Sequence, residues 1–183
     1  VSSVTTTQRT KIGVLLGTRG LVMNAQREGR PADADVMLDL AERTEAAGLD
    51  SVWVGDSITS KPRMEPLTTM AAVAARTNRV KIGTAVMLTA LRHPVHLAHA
   101  VATVDNISNG RVILGVGAGR GDQEMYVQEH ASVGVPIAER AARMEEGLEL
   151  LRALWTQDRV TSKGTYYPLK EVALEPKPVQ RPV

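Results

Sequence analysis

Few residues of this chain combine a reactive type with a telling position. Asp56 and Ser57 follow directly on the apolar run Ser51 to Gly55. A carboxylate there can accept a hydrogen bond from a ligand. It can equally cap the next helix, because it satisfies free backbone N–H groups and opposes the positive helix end. The run Gly115-Val116-Gly117-Ala118-Gly119-Arg120-Gly121 spaces its glycines by two. Such a segment either folds around an anion or cofactor with its backbone, or is a turn needing conformational freedom. Arg120 within it is an anion ligand or a solvated charge. His93, His96 and His99 stand three apart. That spacing drifts around a helix and has no carboxylate at the helical offset, so no metal is expected. His93 is kept as a residue of the cleft beside the strand ends. Ser57 has no evident His and Asp partners, which sets a hydrolase triad aside.

These residues need a scaffold, and the composition says which kinds are available. The chain has 183 residues, 43% of them hydrophobic, enough for one packed core. It has no cysteine, which excludes disulfides, thiolate metal sites and thiol nucleophiles. A net charge of +2 and five Trp and Tyr residues without a Phe argue against nucleic acid as a partner. No apolar run is long enough to cross a membrane, and residues 1–10 lack the apolar stretch of a signal peptide. A soluble, cytoplasmic protein acting on a small molecule is the expectation.

Strand-like and helix-like segments alternate. Strands are expected at Lys11 to Gly17, Ser51 to Gly55, Val80 to Leu88 and Arg111 to Val116. Residues 18–32 read as a polar loop. A helix capped by Asp33 or Asp35 follows, with Val36, Met37, Leu40, Ala41 and Ala47 as its apolar face and Gly48 as its stop. Pro66 and Pro94 open the next two helices. The segment after the glycine run reads as a polar loop, residues 138–155 as an amphipathic helix, and residues 160–169 as a hairpin turning at Lys163-Gly164. Glu145 and Glu146 read as a solvated helix face. Four strand–helix repeats require a parallel sheet with crossover helices. An open doubly wound sheet and part of a (β/α)8 barrel both fit, and both place function at the carboxyl ends of the strands. The first strand–helix junction lacks the G-x-G-x-x-G of a dinucleotide fold, and the later glycine run never places a glycine at the sixth position.

The stretches SVWVGDS, RVKIGTAVM, LRHPVHLAHAVATVDNISNGRVILGVGAG and AERAARMEEGLELLRALWTQDRVTSKGTYYPL resemble the bacterial luciferase-like superfamily of flavin- and deazaflavin (F420)-dependent oxidoreductases. The resemblance runs from about residue 11 to residue 182. It implies an α/β fold, a partial TIM (β/α)8 barrel of about four βα units plus a β-hairpin. It also implies a bulge after the third strand that backs the flavin ring, often with a non-prolyl cis peptide, here at Ala85–Val86 with Met87 following. Asp56 and Ser57 match the cofactor wall after the second strand. Gly117 and Gly119 match the loop near the cofactor's phosphate or side chain.

Two departures limit the transfer. Sugar-phosphate and alcohol dehydrogenases of the deazaflavin branch carry a His where this chain has Ser57. The sugar-phosphate enzymes carry a Glu proton donor where this chain has Arg120. Coenzyme F420 is favoured slightly over FMN, with hydride transfer or oxygenation as the chemistry. Relatives are considerably longer. The chain divides into a flexible tail at 1–10, the N-terminal half of a luciferase-like barrel at 11–175, and a Pro-rich segment at 176–183 leading toward an absent fifth strand. A half-barrel leaves sheet edges and its inner face uncovered, so homo-oligomerisation or dependence on the missing half is expected. A non-catalytic half-barrel that binds or interacts is the alternative.

Overall fold

The computed structural model describes residues 9–181 and 183. Of the tail expected at 1–10, residues 1–8 lie outside the described residues, as does Pro182 of the C-terminal segment. Arg9 is tied down: its guanidinium meets the Asp50 carboxylate at 2.5 Å.

Four parallel strands form the frame: β1 (Gly13–Leu15), β2 (Ser51–Val54), β3 (Lys81–Thr84) and β5 (Val112–Ile113), in the order β1-β2-β3-β5. Between β3 and β5 in sequence lies β4 (Met87–Leu88), which pairs in parallel with β6 (Val116–Gly117) and carries two of the strands on past a break. The helices are α1 (Thr18–Arg27), α2 (Asp35–Ala46), α3 (Pro66–Arg76), α4 (Pro94–Ile107), α5 (Glu124–Ala131) and α6 (Arg140–Thr156). The antiparallel pair β7 (Val160–Ser162) and β8 (Leu169–Val172) closes the described chain. The alternation of elements required a parallel sheet with crossover helices, and that is what forms, with a hairpin appended; the partial (β/α)8 barrel is the architecture the resemblance implied.

Register decides which residues face the helices. Val14, Val52, Ile82 and Val112 are aligned across the sheet, and the last three are buried beneath Met70, Val73, Ala98 and Val101. The alternate row is Leu15, Trp53, Gly83 and Ile113, on the opposite face. There Leu15 is 63% and Ile113 37% exposed. Trp53 lies flat over Gly83: a Cβ at that glycine would collide with the Trp53 ring carbons.

The amino-terminal end of the sheet is a stability device. Asn109 and Gly110 turn with φ of 54° and 75°. Arg111 then buries its guanidinium against the carbonyls of Ala74, Thr77, Val80 and Ser108 and the Thr77 hydroxyl. The chain end of α3 and the start of β5 are thereby locked together, which explains the Ser-Asn-Gly-Arg signature without chemistry. Glu45 does the same for α2, accepting the N–H groups of Asn78, Arg79 and Val80.

Several expectations require correction. Residues 18–27 are helical, not loop: Leu21, Val22 and Ala25 supply a short inward face whose period the intervening Gly20 and Asn24 obscure. On α2 the inward residues are Met37, Ala41 and Thr44, while Val36 is 63% and Leu40 37% exposed. The supposed polar loop after the glycine run contains α5. The hairpin turn is wider than Lys163-Gly164, since Ser162 pairs with Leu169. Glu146 is not a solvated charge; it accepts the N–H groups of Thr165, Tyr166 and Tyr167 and so fixes that turn to α6. The C-terminal segment runs beside β5, where the Gln180 side chain donates to the Val112 carbonyl at 2.8 Å and to Asp105. Among the described residues no helix is long and apolar enough to cross a membrane.

Candidate functional site at the carboxyl ends of the strands

The break between β3 and β4 organises this end of the sheet. Ala85 still donates its N–H to Val54 O at 2.7 Å, and Met87 donates to Gly115 O at 2.7 Å. The peptide between them, Ala85–Val86, is cis. The irregularity expected at that bond is therefore present. Val86 is turned out of the sheet with 43% exposure, whereas Met87 is fully buried in the core. Thr84 ties the two strands together by donating its hydroxyl to Gly115 O at 2.7 Å. Gly117 packs directly behind Val86: a Cβ there would stand 2.7 Å from Val86 Cγ2.

Asp56 braces this bulge from the end of β2. Its Oδ2 accepts the Leu88 N–H at 2.9 Å and Arg92 Nη1 at 2.6 Å, while its Oδ1 accepts Arg92 Nη2 at 3.0 Å. The Asp56 side chain is 0% and that of Arg92 16% exposed. Burial alone would lower the Arg92 pKa, but the Asp56 and Glu65 carboxylates hold it above its ordinary value. Asp56 thus lines the cavity while both its oxygens are engaged by protein groups, and it holds the backbone of the bulge.

Ser57 belongs to a second buried assembly. Its hydroxyl donates to Glu129 Oε1 at 2.7 Å. Glu129, 1% exposed on α5, also accepts the N–H groups of Ile58, Thr59 and Ser60 and the Ser60 hydroxyl. Burial would raise this carboxyl; the Ser57 and Ser60 hydroxyls and the backbone N–H groups outweigh it and hold the group below its ordinary value of 4.5. The loop after β2 is therefore clamped onto α5. Next to Glu129, His130 is 1% exposed; its Nδ1 lies 2.8 Å from the Tyr126 carbonyl, and its Nε2 has no partner among the described residues.

Between these assemblies opens a cavity of about 350 Å³ lined by Asp56, Ser57, Val86, Leu88, Gly119 and Arg120, with Lys61, Arg63, Tyr126, Glu129 and His130 completing its wall. Its two acids are consumed internally, whereas Lys61 and Arg63 have no ion-pair partner among the described residues. Lys61 and Arg120 stand over the Tyr126 ring at 5.2 and 5.7 Å from the centroid. Arg120 also pairs with Asp122, in an exposed ion pair. Gly119 turns with φ of 79° beside His130, where a side chain would press on the imidazole.

Five of the expected site residues therefore share one cavity, and Gly117 supports it from behind Val86. Ala85 lines an adjacent cavity instead. Met87 contributes its backbone but not its side chain. His93 is not in the group. It caps α4, accepting the Val95 N–H at 3.3 Å, and stacks edge-on against Tyr167 in a separate cleft with Arg143. Burial and the neighbouring His96 lower its pKa. Lys61, Arg63, Arg92, Tyr126, Glu129 and His130 escaped the sequence reading. Arg92 stood within the quoted Leu-Arg-His-Pro segment; Glu129 and His130 gave no signal, because α5 itself was taken for loop.

Comparison with known proteins places this geometry. Residues 10–183 match the luciferase-like monooxygenase family. An F420-dependent glucose-6-phosphate dehydrogenase from Amycolatopsis mediterranei is 42% identical over 151 residues, 79% of this chain and 44% of its own length. One from Kribbella flavida is 38% identical over 78% of this chain and 44% of its own. Among solved structures, monooxygenase RslO1 from Streptomyces bottropensis superposes with a TM-score of 0.81 at 30% identity, covering 94% of this chain and 51% of that one. An F420-dependent secondary alcohol dehydrogenase in complex with an F420-acetone adduct gives 0.71 at 28% identity, covering 94% and 50%. The chain thus spans about half the length of the relatives it matches.

Proposed function

The chain belongs to the luciferase-like monooxygenase family, and from that we propose that it is the cofactor-binding half of an oxidoreductase that takes coenzyme F420 in preference to FMN. The observation that carries this is the bulge: Val86 presents an apolar, 43% exposed side chain to the cavity, backed by a glycine that admits no Cβ. A flat heteroaromatic ring needs such a surface, and a cavity of about 350 Å³ is within the range of small-ligand sites. The preference for F420 rests on the relatives named above, several of them F420-dependent by name.

The residues present fit the group. Val86 and Leu88 would meet the ring, Gly119 allows the backbone to approach it, and Lys61 and Arg120 offer charge to an anionic tail. When bound, the deazaflavin supplies a carbon that accepts or donates hydride. The protein's own contribution is positional. Asp56 and Arg92 hold the bulge, and Glu129 holds the loop carrying Ser57 and Lys61. The Ser57 hydroxyl is committed as a hydrogen-bond donor to Glu129, and Arg120 is a fixed cation, so neither takes the place of the relatives' His and Glu as a general acid at pH 7. The reaction named for the dehydrogenase relatives is for that reason not carried over. The same observation favours a second reading, a half-barrel that binds cofactor without turning substrate over.

Titration of the purified chain with F420 and with FMN, read by cofactor fluorescence, tests the first reading. Saturable F420 binding, tighter than FMN and weakened by Val86→Asp, is expected. Binding of FMN alone, or of neither, would overturn it. Turnover with reduced and oxidised cofactor then separates catalysis from binding alone.

A further inference from the structure

A second cavity, of about 230 Å³, opens beside the first at the carboxyl ends of β1, β2 and β3. Its wall includes Gly17, Thr18, Arg19, Gly55, Arg63 and Ala85, and no carboxylate. Arg63 belongs to both cavities, which lie on the two sides of the Ala85–Val86 bulge. Its guanidinium rests on Gly55 in the space a Cβ would fill. Among the described residues Arg63 has no ion-pair partner; its Nε donates to the Lys61 carbonyl at 3.3 Å. The nearby acids cannot neutralise it by contact, because Asp56 is held by Arg92 and Glu129 by the Ser57–Ser60 loop. Arg19 faces the same space and is also without an ion pair among the described residues.

Two further features point the same way. The cavity lies at the start of α1, whose N-cap is Gly17 and whose first turn has no acid. Thr18 N–H is taken by Leu16 O, but among the described residues the N–H groups of Arg19 and Gly20 have no backbone acceptor. Thr18 is 2% exposed and lines the cavity. A threonine in the wall, two guanidiniums without an ion pair among the described residues and a helix start without a side-chain cap form one kind of site: it accepts oxygen atoms carrying negative charge.

We propose that this cavity is the subsite for an oxyanion of the substrate, a carboxylate or phosphate group, held by Arg63, Arg19, the Thr18 hydroxyl and the first free N–H groups of α1. The assignment to substrate rests on the cofactor reading above. The cofactor would occupy the larger cavity on the Val86 side, and the anion would anchor its partner on the Ala85 side.

Inorganic phosphate and, separately, acetate are titrated into the full chain at constant ionic strength by calorimetry, with and without saturating F420. Saturable one-to-one binding of at least one probe is expected. It should be weakened about tenfold or more by Arg63→Gln, several-fold by Arg19→Gln and Thr18→Val, and left unchanged by Arg152→Gln, an exposed α6 position outside the cavity lining. The exposed Arg19 keeps the test open if Arg63→Gln or Thr18→Val fails to fold. No saturation by either probe, or affinities indifferent to Arg63 and Arg19, would overturn the proposal. F420 that expels the probe would also overturn it, since the cofactor's own phosphate would then hold the site. A chain that takes the probe through Arg63 and Arg19 but never binds F420 would sink the cofactor reading and leave the oxyanion site standing.

Discussion

Asp56→Ala should damage the fold before it damages any ligand contact. The wild-type carboxylate is completely buried, receives two guanidinium N–H groups from Arg92 at 2.6 and 3.0 Å, and caps the Leu88 N–H at 2.9 Å. Removing one member of a buried pair strands the other charge, at a cost of about 3–5 kcal/mol. Arg92 is only 16% exposed, so water rescues little of it. Glu65, 46% exposed, remains at 3.3 Å and offsets part of the loss. The orphaned Leu88 N–H adds a penalty of about 1 kcal/mol or more. The sum falls near 3–4 kcal/mol, which for a chain of this size lowers the melting temperature by roughly 6–16 °C. Circular dichroism melts and urea titrations of the parent and variant measure it. The control is Asp56→Ala combined with Arg92→Met, which removes both charges and should recover most of the stability. If Asp56 instead acted only as a cofactor ligand, the single variant would melt within about 2 °C of the parent while losing about 1–3 kcal/mol of cofactor affinity. That outcome would refute the bracing role.

Four further outcomes are expected. The Glu129 carboxyl is depressed below 4.5 in the folded chain, so its contribution is complete above that value and disappears as pH falls through the lower folded-state value; Glu129→Gln should flatten the fall of the urea midpoint below pH 4.5. At neutral pH the same variant should cost about 1–3 kcal/mol, and a midpoint equal to the parent's would count against the clamp. Gly83→Ala forces the Trp53 ring off the sheet; a loss of about 1–3 kcal/mol with a shifted tryptophan emission is expected, and an unchanged spectrum would contradict that packing. Gly117→Ala drives a methyl against Val86, 2.7 Å from its Cγ2, and should weaken F420 binding about tenfold while lowering the melting temperature by only about 2–8 °C; unchanged F420 affinity would count against the bulge as the cofactor's support. With Leu15 63% and Ile113 37% exposed on the sheet's inner face, the isolated chain should self-associate with a second copy through that face. Light scattering should show the Leu15→Lys, Ile113→Lys variant to be smaller, and a parent chain already monomeric would argue otherwise.

Much of the frame is dictated by local sequence. Continuous apolar runs make Ser51–Val54 and Lys81–Thr84 buried parallel strands, and Pro66 and Pro94 start helices because they need no intrahelical donor. Gly48 and Gly110 end helical segments at φ of 77° and 75°, where other residues are strained. The position of the site followed from the same logic, since parallel strands converge their loops at one end. The bulge at Ala85–Val86 was legible through family resemblance alone, because its residues by themselves describe an ordinary strand. What each side chain does there was settled by tertiary structure. Asp56 meets Arg92 across 36 residues and Glu129 meets Ser57 across 72, distances over which no periodicity operates. Hence Asp56, expected at the cofactor wall, lines the cavity and also braces the bulge, and a glutamate in an apparent loop became the clamp of the cavity wall. His93 and Met87 sit one helix cap and one strand alternation away from the cavity, differences of direction rather than position. Arg63 and Arg19 are unremarkable loop charges in sequence; only packing shows that the acids which could have paired with them are already taken.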